Sequence, residues 1–477
     1  MISRHPRSVA VMALLWMAAA DANGLDNWYR ILIGGQDAGE MHVVVTAAQG
    51  VTTTRTTDRV IIDRDGHRIT MSLSAEEQED DSRLLRASFV TRIDDDETRL
   101  DAEVDNTQVH FATQTSAGRY ERVVVLNDRL LGPEAIRRET LARLQRMGDA
   151  WQYRTLAPDS SDVFLVARKL ETDRQDRRGF DVRDVREDGS IEQTLRLDAD
   201  GTLVQSRERS PLGEIVLERT DGPPESPSGV RLPLAGSLPI NRPLPGSGRT
   251  VRALTLRLDG HDAPLLAQDF AGPGQVATPD RHNGLQLAIT LPGLDAASRI
   301  PPTLAERGAN ALFPSEAVEI RAFADSIARR SDSEEAVLSN TIAAVHARLA
   351  FDPGFVIANG LDVLRRGRGT CVAYATLTAT TLRALGYPSR VVYGYAYASG
   401  QFVGHAWTEV WSQDHWRGLD AALYADDSFD SARIALARSH GADGAGGGLD
   451  ALGRTFGRFS VTLLDFEVAA SEPPVGR

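Results

Sequence analysis

Asp65-Gly66, Asp188-Gly189 and Asp200-Gly201 each lie among runs of strand formers such as Val60-Ile61-Ile62, Ile69-Thr70-Met71 and Thr194-Leu195-Arg196-Leu197. An Asp-Gly pair supplies the left-handed backbone that a two-residue hairpin turn needs. Hairpin therefore follows hairpin, and residues 23–220 are expected to form an antiparallel β-rich domain. Pro133 to Met147, closed by Gly148, reads as the one helix there, with Ile136, Leu141 and Leu144 on its buried side. Asp94-Asp95-Asp96 is an acidic hairpin tip, expected to be solvated rather than to hold a metal ion.

A chain of 477 residues exceeds one ordinary core, so further domains are expected. Gly222-Pro223-Pro224-Glu225-Ser226-Pro227-Ser228-Gly229 opens a Pro/Gly-rich linker spanning 221–249. Arg252 to Leu258 and Leu285 to Leu291 read as strands of a small β segment at 250–300, which leaves 301–470 as a separate domain ending on a strand from Phe459 to Phe466. Residues 441–448 read as a glycine- and alanine-rich loop. In 301–470, a helix is expected from about Pro314 to Ala328. A second opens with the S-x-x-E form of a capping box at Ser331 to Glu334 and carries Leu338, Ile342, Val345 and Leu349 at helical spacing.

The chain has one cysteine, Cys371. Gly367-Arg368-Gly369 is a turn, Thr370 is placed to cap a helix, and Cys371 to Leu385 runs without a helix breaker until Gly386 and Pro388. The cysteine thus falls in the first helical turn, where the dipole favours thiolate and its own N–H faces outward for an oxyanion. Phe402 to Trp411 reads as a strand, with His405, Trp407, Glu409 and Trp411 on one face by period-two alternation. After the turn Ser412-Gln413-Asp414-His415, Trp416 to Asp420 is a second strand. Antiparallel pairing of the two sets Asp420 beside His405. A nucleophile, a base and an orienting carboxylate thus occur in the order Cys371, His405, Asp420. Trp407, Tyr393, Tyr395 and Tyr397 are candidates for lining a substrate cleft, with core packing the alternative. His346 and His415 are expected to be structural or exposed, with His415 a substitute base only if His405 points away.

Gly369-Thr370-Cys371, the run Leu382 to Tyr395, Gly404-His405-Ala406-Trp407-Thr408-Glu409-Val410-Trp411 and Trp416 to Asp420 together resemble the core of the transglutaminase-like superfamily. The resemblance covers about Pro314 to Tyr424. It implies a papain-like fold with Cys371 as nucleophile, His405 as base and Asp420 as orienting residue, and acyl transfer through a thioester to water or an amine. Where many members continue the aspartate with Pro-Thr, this chain has Ala421-Ala422-Leu423. Trp28 to Glu40 resembles the start of N-terminal β domains in exported bacterial transglutaminase-like proteins. The fold class expected for the whole is α+β: antiparallel β-rich structure, then a cysteine-bearing helix packed on an antiparallel sheet. The function expected is a cysteine acyltransferase or peptidase acting on a peptide or protein, with hydrolysis favoured. The alternative is a catalytically silent module of the same fold, used for binding or assembly in the cell envelope.

The formal charge of −13 argues against a general nucleic-acid binder. No H-E-x-x-H, paired-cysteine, G-x-S-x-G or P-loop motif occurs, so no metal or cofactor is expected. Lys169 is the sole lysine among 53 Lys and Arg residues, so the protein offers few amines for cross-linking to itself. Arg4 and Arg7 precede the apolar stretch Val9 to Ala20, and Ala20-Asp21-Ala22 has the form of a cleavage site. Residues 1–22 are therefore expected to be a signal peptide. The stretch is short for a membrane span and carries no cysteine for lipid, which leads to the expectation of a soluble exported or periplasmic protein. A single cysteine cannot form an intrachain bridge, and in an oxidising compartment an unpaired thiol is most simply a reactive one.

Overall fold

The computed structural model describes residues 24–64, 67–94, 96–157, 160–172, 179–187, 192–210, 213–231, 237–245, 248–260, 267, 270–280, 284–293, 295–352, 358–423, 429–441 and 459–468. The segment expected to be a signal peptide, the Asp65-Gly66 and Asp188-Gly189 tips and residues 442–448 lie outside them. The fold is α+β, and the chain divides near residue 233 into two compact units.

The first unit is one sheet, antiparallel throughout except where the short strand Val230–Arg231 pairs in parallel with Val51–Arg64. Eight strands, from Leu25–Ile33 to Gly118–Val125, each pair with the next, and six more run from Ala150–Ala157 to Gly213–Thr220. The two meanders join because the first strand pairs with the last, from Trp28↔Thr220 to Ile33↔Ile215. At Asp200-Gly201 the glycine has φ +86°, the left-handed turn that the dipeptide signals. The helix between the meanders ends earlier than its composition suggests, at Pro133–Arg143. Asp149 is the physical reason: its carboxylate accepts from the N–H groups of Gln145 and Arg146, satisfying the backbone in a non-helical exit. Asp94 turns with φ +52° and accepts from Thr70 N–H. Among the described residues no group of acidic, histidine or cysteine side chains is arranged to hold a metal ion.

The buried face of this sheet is apolar along Tyr29, Ile31, Leu195 and Leu217, yet it also encloses charge. Arg168 and Asp184, both fully buried, form a two-pronged ion pair, with Nε to Oδ1 at 2.6 Å and Nη2 to Oδ2 at 2.5 Å. Arg168 also donates to Thr140 and to the Tyr153 hydroxyl, which in turn donates to Asp184.

The second unit, from about residue 234 onward, holds two sheets and the longer helices. One sheet places Gln401–Ser412 between Ser389–Ala398 and the strands His415–Leu419 and Ser237–Pro239, with Arg433–Ser439 outside Ser389–Ala398. The other orders Gln275–Pro279, Gly284–Thr290, Val251–Asp259 and Ser460–Val468. The segment read as a small separate β region is therefore completed by the far C-terminal strand. Its Leu254, Leu256, Leu258, Leu285 and Leu287 share one core with Tyr395, Tyr397, Phe402 and Ile434 of the first sheet. Burial of these side chains contributes roughly 1.5–3 kcal/mol each, enough to bind the segment to the rest of the unit.

Two helix starts differ from expectation. The first helix is Val318–Ala328, with Pro314 in the turn before it. The next is Glu334–Arg348, capped by Ser333, whose hydroxyl accepts from Ala336 N–H. Ser331 is not the cap because its hydroxyl donates to Ile327 O and closes the preceding helix. Both helices pack on the cysteine helix, Cys371–Ala384, which is buried along nearly its whole length. Two of its buried threonines find local partners, Thr378 donating to Tyr374 O and Thr380 to Thr376 O. Arg383 donates to Ser389 O and stacks on Phe313.

Candidate active site

The cysteine helix starts where Gly367 takes φ +65° and ends the helix Gly360–Arg366. Thr370 stands at the N-cap in extended conformation. Its carbonyl, not its side chain, makes the capping bonds, accepting from Ala373 and Tyr374 N–H. Cys371 is the first helical residue and is partly buried, packed against the core of Phe313, Ala375 and Ala406. Its own N–H belongs to the group that the helix leaves without an internal acceptor.

The strand Gln401–Ser412 uses its alternation as expected. Ala406 and Thr408 face the helix: Ala406 packs with Ala375 and Ala379, and the Thr408 hydroxyl donates to Ala375 O. His405, Trp407 and Glu409 take the other parity. Leu419 pairs with Thr408, so Asp420, one residue beyond the strand, comes level with the His405 end. There His405 Nε2–H donates to Asp420 Oδ2 at 2.8 Å, with both side chains buried. The other ring nitrogen, Nδ1, remains for Cys371, with which the imidazole also forms a hydrogen bond. The structure thus brings Cys371, His405 and Asp420 into one contiguous chain of contacts.

The charges agree with that geometry. Burial alone pushes the Cys371 thiol up. The positive His405 ring, its hydrogen bond and the Ala406 N–H more than offset this and hold the thiol below its ordinary value, against a weaker opposing effect of Asp420. Burial alone would lower His405, but the charges of Asp420 and Cys371 and the hydrogen bonds to both raise it to about 9. Burial raises Asp420, yet His405 and Arg433 hold its carboxyl far below the usual carboxylate range. The arrangement favours a thiolate beside an imidazolium.

Ala421-Ala422-Leu423 does specific work in place of Pro-Thr: Ala422 and Leu423 N–H both donate to Asp420 Oδ1, at 2.9 and 3.0 Å. The loop clamps the carboxylate as an Asx turn does. Arg433 donates to the other oxygen at 2.5 Å. Sequence reading missed Arg433, because the strand Arg433–Ser439 carries two arginines and no clear alternation, and the partnership is made only when that strand joins the sheet.

The aromatic candidates lie elsewhere than on an open cleft. Tyr393 is fully buried in the core with Leu312, Phe313 and Val391, and Tyr395 and Tyr397 lie in the core between the two sheets. The expectation that Tyr393 and Tyr395 contact substrate is corrected on this ground: their rings fill interior space, which is where period-two positions of a strand covered on both faces must go. Trp407 is buried too, packed with Val392, Ala435 and Phe429 and lying 6.3 Å from the His405 ring, so it supports the histidine from behind. Glu409, on the same face, is buried between Arg390 at 2.7 Å and Arg438 at 3.0 Å. His346 bonds Ala421 O through Nδ1 at 2.9 Å. His415 bonds Gln413 O within its own turn and is not part of the cluster.

Residues 321–421 match the model of the transglutaminase-like superfamily. An uncharacterised protein of Mycobacterium leprae is 32% identical over 107 residues, 20% of this chain and 38% of the relative, so the chain spans well under half the length of that curated protein. Among solved structures, a candidate cysteine protease from Cytophaga hutchinsonii is similar over 49% of this chain and 87% of that one, at 11% identity and a TM-score of 0.26. A β-barrel-like protein from Brucella abortus is similar over 41% of this chain and 94% of its own, at 14% identity and a TM-score of 0.33. A candidate protease from Parabacteroides distasonis is similar over 76% and 66%, at 13% identity and a TM-score of 0.20.

Proposed function

We propose that the transglutaminase-like core at residues 321–421 is the catalytic part of an exported cysteine enzyme that hydrolyses or transfers the acyl group of a peptide or amide. The observation that carries this reading is His405 hydrogen-bonded on one side to the thiol of a cysteine at a helix N-terminus and on the other to a buried, clamped carboxylate. A histidine held in this way has one tautomer and one orientation, which a structural histidine does not require.

In this mechanism the Cys371 thiolate attacks the amide carbonyl carbon. The oxygen takes the negative charge and meets the Cys371 N–H. As the C–N bond breaks, the His405 imidazolium gives its proton to the departing amine, leaving a thioester on Cys371 and a neutral imidazole. His405 then removes a proton from water or an incoming amine. That nucleophile attacks the thioester, and the thiolate leaves and regains its imidazolium partner. Water is the default acceptor at its high concentration, so hydrolysis is the favoured outcome. The proposal of export rests on the basic and apolar character of residues 1–22.

The test is the pH dependence of iodoacetamide alkylation of Cys371, followed with its His405→Ala variant and with Cys371→Ala as the blank. The expected result is an apparent thiol pKa clearly below the free-cysteine value of about 8.5 that returns to or above that value without the imidazole. An inert thiol, or one titrating normally in both proteins, would remove the basis for a cysteine enzyme.

A further inference from the structure

We propose that Arg433 is a positioning residue for this site: its guanidinium shares Asp420 Oδ2 with the His405 Nε2–H, fixing the carboxylate in register with the imidazole and moderating how tightly it holds the imidazolium. The inference rests on the catalytic reading of Cys371, His405 and Asp420.

The geometry is specific. Asp420 has four donors, two on each oxygen. Ala422 and Leu423 N–H serve Oδ1, while His405 and Arg433 serve Oδ2. Arg433 is in turn held by Asp430, fully buried, at 3.1 Å, and Arg249 pairs with the same Asp430 oxygen. Its guanidinium lies 4.5 Å from the centre of the Phe429 ring and 5.7 Å from that of Trp407, the ring behind His405. Gly394 keeps this arrangement open. A Cβ there would sit about 2.0 Å from Ile434 O and 3.0 Å from the Trp407 ring. Among the described residues Arg433 Nε has no acceptor, although the side chain is buried. A buried arginine with one donor unpaired is a poor way to stabilise a fold, since desolvation cancels much of the attraction. Its position makes sense through what it does to Asp420.

Two requirements meet at that carboxylate. It must stay ionised in a buried site, and a second cation beside it secures that. It must also leave His405 able to release its proton to a leaving amine, and a carboxylate devoted to the imidazolium alone would oppose release. Arg433 takes one hydrogen bond and part of the charge of Oδ2 and serves both ends. The groups facing His405 are Cys371 from the helix and Asp420 from the loop after His415–Leu419, with Arg433 and Asp430 behind Asp420 and His346 bonded to Ala421 O.

The experiment compares the purified full chain with its Arg433→Gln and Arg433→Lys variants, reading the His405 ring by NMR across pH and Cys371 by iodoacetamide. Arg433→Gln is expected to move the His405 midpoint upward by roughly one unit, the order of shift a nearby charge produces. Arg433→Lys, which keeps the charge, is expected to stay within about a third of that shift, with the thiol still activated in both. A folded Arg433→Gln with an unchanged His405 midpoint would overturn the proposal. If Arg433→Gln fails to fold, a Lys variant whose midpoint rises by the full unit would overturn it equally. If the unaltered protein shows an ordinary thiol indifferent to His405, the catalytic reading itself has failed, whereas an activated thiol with no effect at 433 sinks only the role of Arg433.

Discussion

Each unit buries an arginine against an aspartate, and the two pairs end differently. In the first, Arg168 spends its donors on Asp184, Thr140 and Tyr153, and the bonds return to Asp184 through a phenol whose ionisation burial pushes well above its ordinary value. In the second, Arg433 bonds an aspartate that also takes an imidazole N–H, and the imidazole leads to the thiol of a partly buried cysteine at a helix terminus. The first network is closed among buried groups of the sheet and of the helix Pro133–Arg143. The second ends at a nucleophile whose ionisation the neighbouring imidazole draws below its ordinary value. Buried charge therefore does not mark a site by itself. A site needs a titratable nucleophile at the reachable end of the network.

The sharpest way to test this contrast is to cut the closed network. Asp184→Ala leaves Arg168 buried without its partner and is expected to destabilise the first unit by roughly 3–5 kcal/mol, seen in denaturant unfolding, while the alkylation profile of Cys371 is unchanged. A shift in that profile would show the two networks to be coupled.

Acid should separate the units next. Burial raises Asp58 to about 7 and Glu79 to about 8, so their folded forms favour the neutral acid. Stability from that source is fullest below the unfolded value of about 4 and falls as pH rises toward 7–8, by on the order of 4 kcal/mol for each group. Asp420 has the opposite sign: its contribution is present above about 4 and is lost as pH falls. His405, raised to about 9, contributes below its ordinary value of 6.5, and that contribution disappears as pH climbs through about 9. Hydrogen exchange between pH 3 and pH 5 should therefore show the first unit gaining protection with acid and the second losing it. Asp58→Asn should flatten the first trend and Asp420→Asn the second, and parallel trends in both units would refute this assignment. The smallest effect is expected at the surface. Arg417 and Glu335 meet at 2.7 Å with Glu335 largely exposed, and Glu335→Gln should change thermal stability by no more than about 0.5 kcal/mol.

Much of this was legible in the residues. Hairpin dipeptides and strand-forming runs announced the antiparallel sheet of the first unit, and Asp200-Gly201 turns as its composition requires. The strand bounds around His405 were readable within a residue or two because alternation and turn residues are local signals. Ser333 rather than Ser331 capping its helix was not readable, since two serines two residues apart compete and the choice depends on how the previous helix ends. Nor was the sheet that closes 250–300 with Ser460–Val468, a pairing across some two hundred residues for which composition leaves no trace.

The sequence by itself determined which groups were on offer: one thiol at a helix start, one histidine on a strand and one aspartate just past the next. Short-range geometry is enough to order these, because hydrogen-bonded turns and strand periods act over a few residues. Only the tertiary structure decided that Tyr393 and Tyr395 belong to the interior and that Arg433 reaches Asp420. Both follow from which strands lie side by side, and that depends on burying apolar area over the whole unit rather than on any local propensity.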